Sequence, residues 1–309
     1  MQKIVTIGGG TGQFQILRGL KNYSCEITAI ANMADDGGSS GVLRDEYGIL
    51  PPGDARQCMI ALSSEERSKI LRELFNFRFN EGEGHNLGNL IIGALVKIRG
   101  GTAEAIKEAG NILGIRGKVL PVTTDDVMLC AETEDGNFLN GQTNISYPGS
   151  NIKIKRIFYK PRAFAYSETI DAIKNADKIV ICPGELYGSI LPNMIVEGVA
   201  GALKESKAMK VYVCNLFTRE GTQNFMASDF VKEIEGYAGI KIDRILINTG
   251  RPSEDVLAKY LSEKSNLVWD DLQNDARVIR GDYAAVYPSE KKTLLRHVPE
   301  KIARAIVAL

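Results

Sequence analysis

The stretch KIVTIGGGTGQFQILRGL, residues 3–20, decides the fold. Its opening apolar run is typical of a strand buried on both faces of a sheet. A glycine loop follows, and Phe14, Leu17 and Leu20 then recur at helical spacing. The next apolar run, EITAIA at 26–31, predicts a second strand. A strand, a loop, a helix and another strand in this order indicate a parallel α/β sheet.

The rest of the chain repeats this alternation, with one interruption. Residues 115–165 are rich in β-forming residues, and Asp135-Gly136 marks a hairpin, so we predict an antiparallel excursion there. Helices are predicted at 54–63, from Ser64 (as N-cap) to 79, and at 86–100, 102–114, 167–175, 190–204, 226–236, 253–262 and 299–308. We expect one α/β domain over 1–309, a Rossmann-like parallel sheet flanked by helices.

Composition excludes several classes of protein. The 309 residues include 38 Lys and Arg against 38 Asp and Glu, and no basic run, which argues against a nucleic-acid-binding surface. The N-terminus lacks a signal-peptide pattern and no apolar stretch could span a bilayer, so we expect a cytoplasmic protein. Five cysteines without a CxxC pair, and only two histidines, predict buried free thiols and no zinc site.

The glycine loop GGGTG, residues 8–12, is a predicted anion site. Glycines let the backbone approach a ligand closely, and the following helix start offers free amides and a positive dipole end. The dinucleotide fingerprint would need Gly or Ala at Gln13 and an acid near Asn32, so NAD is not expected. No Lys-Ser/Thr follows, which excludes a P-loop. The expected ligand is a phosphate or diphosphate.

A second polar stretch, residues 31–57, follows the next strand. Asp35 and Asp36, together with Asp54, could hold Mg²⁺ beside a diphosphate. Asp54 alone reads equally well as a helix N-cap. The other polar side chains expected to face a phosphate are Ser39, Ser40, Arg44 and Arg56.

Three further loops carry polar residues. In GEGHNLGNL, His85 and Asn86 either bind a ligand or cap the helix that follows. In PGELYGS, Tyr187 is a candidate for stacking on a base or sugar and Ser189 lies at a helix start. In CNLFTREGTQN, Asn215 is among the polar residues that leave a strand end. Loops at successive strand ends together predict a cleft.

These motifs, GGGTG, ADDGGSSG, PPGDAR, GHNLGNL, PGELYGSILPN and VCNLFT, occur in an order and spacing that resemble the YvcK/CofD-like family. The resemblance runs from about residue 3 to 290 and is greatest to the YvcK branch, the bacterial gluconeogenesis factors. It implies a CofD-like fold. It implies a factor for cell shape and cell-wall metabolism on gluconeogenic carbon sources, which binds UDP-N-acetylglucosamine. The CofD branch implies an alternative, an Mg²⁺-dependent 2-phospho-L-lactate transferase that uses a nucleoside-diphosphate donor.

The resemblance also implies residue roles. Asp36 and Asp54 match acidic positions that serve Mg²⁺ in the transferases, and no catalytic base is assigned. The expected ligand site comprises Gly9, Gly10, Thr11, Gly12, Asp35, Asp36, Ser39, Ser40, Arg44, Arg56, His85, Asn86, Asn89, Gly184, Tyr187, Ser189, Asn215 and Thr218. We expect neither NAD, pyridoxal phosphate nor zinc. The expected protein partners are cell-wall synthesis proteins, and the chain is compatible with a homo-oligomer. Whether it catalyses a reaction stays open.

Overall fold

The chain alternates strands and helices along most of its length. The computed structural model describes residues 1–37, 50–66, 68–79, 84–149, 152–288 and 293–309. The strands are β1 Gln2–Gly8, β2 Cys25–Ala31, β3 Lys118–Pro121, β4 Met128–Thr133, β5 Phe138–Asn140, β6 Ile154–Lys160, β7 Lys178–Ile181, β8 Met209–Val213, β9 Arg244–Asn248, β10 Val278–Gly281, β11 Ala284–Pro288 and β12 Thr293–His297. The helices are α1 Gly10–Leu20, α2 Gly53–Leu62, α3 Lys69–Asn76, α4 Leu87–Arg99, α5 Thr102–Leu113, α6 Gln142–Ser146, α7 Ser167–Lys174, α8 Leu191–Met194, α9 Val199–Glu205, α10 Ala227–Ala238, α11 Glu254–Ser262 and α12 Pro299–Ala308.

A seven-stranded sheet lies at the centre, in the order β10-β9-β8-β7-β1-β2-β3, and each neighbouring pair is parallel. From β1 the chain moves outward through β2 to β3, and it later returns to place β7 on the other side of β1. This reversal of direction is where open α/β sheets leave a crevice at the carboxyl ends of their strands. The predicted Rossmann-like parallel sheet is confirmed.

Apolar clusters cover both faces of the sheet. On β1, Ile4 packs with α1, α2, α5 and α12, whereas Val5 and Ile7 pack into the cluster on the opposite face. Full burial of one such side chain contributes about 1.5–3 kcal/mol, so a strand buried on both sides is a strong organiser of the core. Within the described ranges, no helix has the length and apolar character to cross a bilayer.

The predicted excursion contains a three-stranded antiparallel sheet, in the order β5-β4-β6. Its hairpin turns at Asp135-Gly136, as predicted, and Gly136 has the positive φ of +85° that such a turn requires. The prediction was wrong at its beginning, because β3 pairs in parallel with β2 and extends the main sheet. Leu129 and Ile157 share the apolar cluster of Val5 and Ile7, so the excursion packs on the core.

Two predicted helices begin or continue differently in the structure. The helix predicted from Ser64 begins only at Lys69, and Glu65 is drawn instead into an ion pair with Arg18 of α1 at 3.1 Å. The helix predicted over 190–204 is wrong as one element, because α8 and α9 are separated at Gly198, whose φ is +100°. A π-helical turn, Leu186–Ile190, precedes α8.

The first and last helices are packed against each other. Gly19 of α1 lies so close to Pro299 and Ala303 of α12 that a Cβ at position 19 would overlap them. On the sheet side, the Nζ of Lys178 donates hydrogen bonds to the carbonyl oxygens of Ile306 and Val307 at 2.9 and 3.1 Å. Helix α1 is therefore held between β1 and the end of the chain.

Candidate functional site

A cleft of about 310 Å³ lies at the switch point of the sheet. Loops that follow β1, β7 and β8 contribute to its walls, and α6 and β12 supply further residues. Its lining includes Gly9, Gly10, Thr11, Gly12, Gln15, Gln142, Ser146, Gly184, Glu185, Ser189, Asn215, Phe217, Arg219, Tyr260, Arg296 and His297. Seven of the predicted site residues are therefore brought together here, namely Gly9, Gly10, Thr11, Gly12, Gly184, Ser189 and Asn215.

The glycine loop places the start of α1 in this cleft. Gly9 is the N-cap in extended conformation, and Gly10 has a φ of +59°, which favours glycine. Gly12 packs so tightly on the carbonyl of Pro183 that a Cβ would overlap it. The first amides of an α-helix have no partner within the helix, so Thr11 and Gly12 bring such donors to the cleft wall.

Gln13 occupies the position where the dinucleotide fingerprint has a small residue. It is fully buried, and its Nε2 donates to Thr6 Oγ1 at 3.1 Å and to the carbonyl of Ile30 at 3.0 Å. The side chain therefore joins α1 to β1 and β2, and it fills space that a dinucleotide-binding chain leaves to a glycine or alanine.

Asp54 lies beside the glycine loop, although its sequence position fits the N-cap of its own helix equally well. Helix α2 begins one residue earlier, after Pro52, and has no side-chain cap. The Oδ1 of Asp54 accepts a hydrogen bond from the amide of Gly10 at 2.7 Å. Burial, followed by the negative charge of Asp35, raises the pKa of Asp54 to about 7. The N-cap prediction was wrong, because the Asp54 carboxylate accepts its hydrogen bond from the amide of Gly10 and not from an amide of α2.

The acidic residues divide into two environments. The negative charge of Asp35 acts on Asp54 and raises its pKa, so a cation bound near these two carboxylates would relieve their repulsion. Asp36 instead accepts hydrogen bonds from the amide and hydroxyl of Thr143 at 2.8 and 2.7 Å. Among the described residues, no group of three or more His, Cys, Asp or Glu side chains is arranged to hold a metal. The predictions for Ser39, Ser40 and Arg44 lie outside the described residues.

Arg56 and the GHNLGNL motif form a buried network away from the cleft lining. The Nε of Arg56 donates to Asn89 Oδ1 at 2.8 Å, and its NH1 donates to the carbonyl of Phe75 at 3.0 Å. Asn86 caps α4 by accepting the amide of Asn89 at 3.1 Å, which favours the capping alternative. His85 precedes this cap. Because Arg56 already bonds to the protein, we do not assign it a phosphate contact.

Tyr187 and Thr218 differ from their predicted roles. Tyr187 is only 3% exposed and belongs to the apolar cluster of Val5 and Ile7, so the prediction that it stacks on a ligand was wrong. Thr218 is 1% exposed, and its Oγ1 accepts the amide of Asn266 at 2.9 Å. Both follow a strand end, but packing turns their side chains into the protein.

Glu185 is a cleft residue that the sequence analysis missed. Its carboxylate accepts the amides of Tyr187 and Gly188 and the hydroxyl of Ser146. Burial raises its pKa, and the hydrogen bonds from the amides of Gly188 and Tyr187 partly oppose this effect. On the same side of the sheet, Asn215 donates to the carbonyl of Gly184 at 2.6 Å and so joins the loops after β7 and β8.

The C-terminal part of the chain supplies a wall that local patterns did not reveal. The rings of Phe217 and Tyr260 are stacked, with centroids 3.8 Å apart and an interplanar angle of 7°. Arg296 and His297 lie at the end of β12. Burial and then the charge of Arg296 lower the pKa of His297 to about 4, so this imidazole is neutral at pH 7. The sequence feature that could have indicated Arg296 and His297 is this polar pair directly after two leucines.

Comparison with known proteins agrees with this architecture. A family model described as 2-phospho-L-lactate transferase CofD matches residues 4–284. A protein of Thermotoga maritima is 44% identical over 311 residues, covering 98% of each chain. The gluconeogenesis factor of Halalkalibacterium halodurans is 42% identical, covering 99% of this chain and 96% of that protein. The crystal structure of a Bacillus halodurans protein matches with a TM-score of 0.92 at 40% identity, covering 99% of this chain and 100% of that chain.

The motif resemblance is confirmed by these matches. The family model extends from within β1 to β10 and includes the antiparallel excursion between them. The crystal structure that matches has the same fold over nearly its full length. This chain therefore belongs to the CofD family.

Proposed function

We propose that the cleft binds UDP-N-acetylglucosamine. In this proposal the chain is a cytoplasmic factor in cell-shape and cell-wall metabolism during growth on gluconeogenic carbon sources, acting through cell-wall synthesis proteins. The name gluconeogenesis factor, which relatives carry, supports the part of the proposal that concerns gluconeogenic growth. One observation carries the ligand class: the start of α1 lies where the loops after three neighbouring parallel strands converge.

The cleft offers complementary groups for each part of such a ligand. The diphosphate would lie against Thr11 and Gly12, whose amides open the helix, with Arg219 and Arg296 supplying positive charge. Phe217 and Tyr260, which line the cleft, would supply apolar contacts to a base. The sugar would then extend toward α6 and the loop after β7.

A second candidate is a transferase that takes a phosphate-linked group from a nucleoside-diphosphate donor. The family description and the electrostatic repulsion between the carboxylates of Asp35 and Asp54 favour it. Mg²⁺ would neutralise these carboxylates and the diphosphate, and a site with two carboxylates and ligand phosphates suits its preference for oxygen ligands. The acceptor hydroxyl would attack the β-phosphorus, its proton would pass to solvent, and the nucleoside monophosphate would leave. The chain's own residues would hold the donor in place.

Calorimetric titration with UDP-N-acetylglucosamine, with and without Mg²⁺, tests the proposal when the ligand is then recovered by chromatography. We expect binding with the ligand returned intact. Consumption of a nucleoside-diphosphate donor in the presence of a flavin-like acceptor would favour the transferase instead. Absence of binding under both conditions would refute the nucleotide-sugar proposal.

A variant of the glycine loop provides the matched test of the site. Gly10→Val should abolish binding, because valine disfavours the φ of +59° and its side chain would block the phosphate approach. The control is Gly201→Val, where an added Cβ has no neighbour within 4 Å. Unchanged affinity in a folded Gly10→Val protein would show that the diphosphate does not bind at this loop.

A further inference from the structure

Helix α6 belongs to the antiparallel excursion but contributes to the wall of the parallel-sheet cleft. It is a single turn, anchored on the core by Ile145, which is completely buried. Gln142 and Ser146 line the cleft. A helix this short has little stability of its own, so contacts with the rest of the chain must fix its position.

One of these contacts comes from the loop after β2. The Oδ1 of Asp36 accepts both the amide of Thr143 at 2.8 Å and its hydroxyl at 2.7 Å. Gly141, the residue before α6, has a φ of +88°, and a Cβ there would overlap the carboxylate of Asp36. The excursion therefore has a glycine at the place where the Asp36 carboxylate packs against it.

The other contact comes from the loop after β7. Ser146 donates to Glu185 Oε2 at 3.1 Å and accepts from Gln142 Nε2 at 3.1 Å. Gly188 lies where these three side chains meet, and a Cβ there would overlap all of them. The Gln142 amide oxygen accepts no hydrogen bond from another described residue, so it can accept one from a ligand.

We propose that Asp36 and Glu185 are positioning residues that hold α6 so that Gln142 and Ser146 contact the sugar carried by a diphosphate. On this view α6 distinguishes a nucleoside diphosphate sugar from the bare nucleoside diphosphate. A hydroxyl or acetamido group is the complementary chemistry for a carboxamide and a hydroxyl. The inference rests on the proposed function and extends it by assigning the sugar end of the cleft.

This role of Asp36 differs from that of a metal ligand, and the two can be separated by their dependence on charge. Asp36→Asn keeps an oxygen that can accept both bonds from Thr143, but it removes the charge that a cation requires. Asp36→Ala removes both the accepting oxygen and the charge. Thr143→Val removes one of the two bonds without touching the acid, and Thr143→Ser is its matched control because it keeps the hydroxyl.

The experiment measures the affinities of UDP-N-acetylglucosamine and UDP for each variant, with and without Mg²⁺. UDP reports on the diphosphate and base ends, so it also shows that the cleft is intact in each variant. We expect Asp36→Ala to weaken sugar-nucleotide binding about 10-fold and Thr143→Val about 3-fold, from the hydrogen bonds lost. UDP affinity should stay unchanged, and Asp36→Asn and Thr143→Ser should resemble the wild type. The ratio of wild-type to variant affinity for UDP-N-acetylglucosamine should be the same with and without Mg²⁺.

Two results would overturn the inference while leaving the proposed function intact. One is an Asp36→Asn variant as weak as Asp36→Ala, with a loss that occurs only in Mg²⁺. The other is an equal loss of UDP and UDP-N-acetylglucosamine in the Thr143→Val variant. A wild-type chain that binds neither ligand would refute the proposed function itself, and this inference with it.

Discussion

Replacement of Asp54 by asparagine should stabilise the unliganded protein at neutral and alkaline pH. Asparagine keeps the oxygen that accepts the amide of Gly10 at 2.7 Å and removes a charge that is unfavourable in this position. Burial and the neighbouring charge of Asp35 raise the pKa of Asp54 from 3.8 to about 7. The folded state therefore resists ionisation of a group that ionises readily when the chain is unfolded.

The expected gain in the free energy of unfolding follows from the pKa of Asp54 in the folded and unfolded states. They differ by about three pH units, which corresponds to about 4 kcal/mol when the carboxyl is ionised in both states. Because water reaches part of the Asp54 side chain, we expect the gain at pH 8 to be about 2 kcal/mol. A carboxyl pKa that is raised in the folded state destabilises the fold as the pH rises above the unfolded-state value, and the effect is complete above the folded-state pKa. The advantage of asparagine should thus be complete above about pH 7, decrease toward pH 4 and vanish below it.

Chemical unfolding at pH 8 and pH 5 measures this dependence. The gain for Asp54→Asn should be smaller at pH 5 than at pH 8, because more of the wild-type carboxyl is then protonated in the folded state. Asp171→Asn, at an exposed position, is the control and should change stability little at either pH. An Asp54→Asn protein that is no more stable than the wild type at pH 8 would refute the reasoning.

Three further predictions concern glycines and thiols. Gly12→Ala should destabilise the protein and weaken nucleotide binding at least about 10-fold in calorimetry, because its Cβ would overlap the carbonyl of Pro183; unchanged melting and affinity would contradict this. Gly201→Ala should raise the free energy of unfolding by about 0.5–1 kcal/mol, because the methyl meets no neighbour and alanine favours a helix; a lower denaturation midpoint would contradict it. All five cysteines are buried, and burial raises the pKa of the Cys58 and Cys182 thiols, so a thiol reagent should modify them only after unfolding. Rapid modification of the native protein would show that these thiols are accessible to the reagent and contradict the prediction.

The parallel sheet could be predicted from sequence because its signals are local. The apolar run of β1 and the helical spacing of Phe14, Leu17 and Leu20 each depend on neighbouring residues alone. The glycine loop was predictable for the same reason. Even so, the helix break at Gly198 was missed, because a single glycine in a helical pattern does not by itself require a positive φ.

The rest of the site depends on partners that are distant in the chain. Asp54 looks like a cap in its own segment, yet its hydrogen bond goes to Gly10, 44 residues earlier. Tyr187 follows a strand end like a ligand-facing residue, but packing buries it. Tyr260 and Arg296 reach the cleft only through the tertiary fold. Local propensity cannot specify such contacts, because tertiary packing decides them.

The packing of α12 on α1 has a consequence for synthesis of the protein. The amino end of α1 lines the cleft, while Arg296 and the helix that holds α1 in place come from a part of the chain that is made much later. Between Gly12 and Arg296 the ribosome must add 284 residues, which takes roughly 15–60 s at about 5–20 residues per second. A nascent chain would therefore have an incomplete cleft until Arg296 and α12 have been made, and a product terminated before them would lack the packing that holds α1.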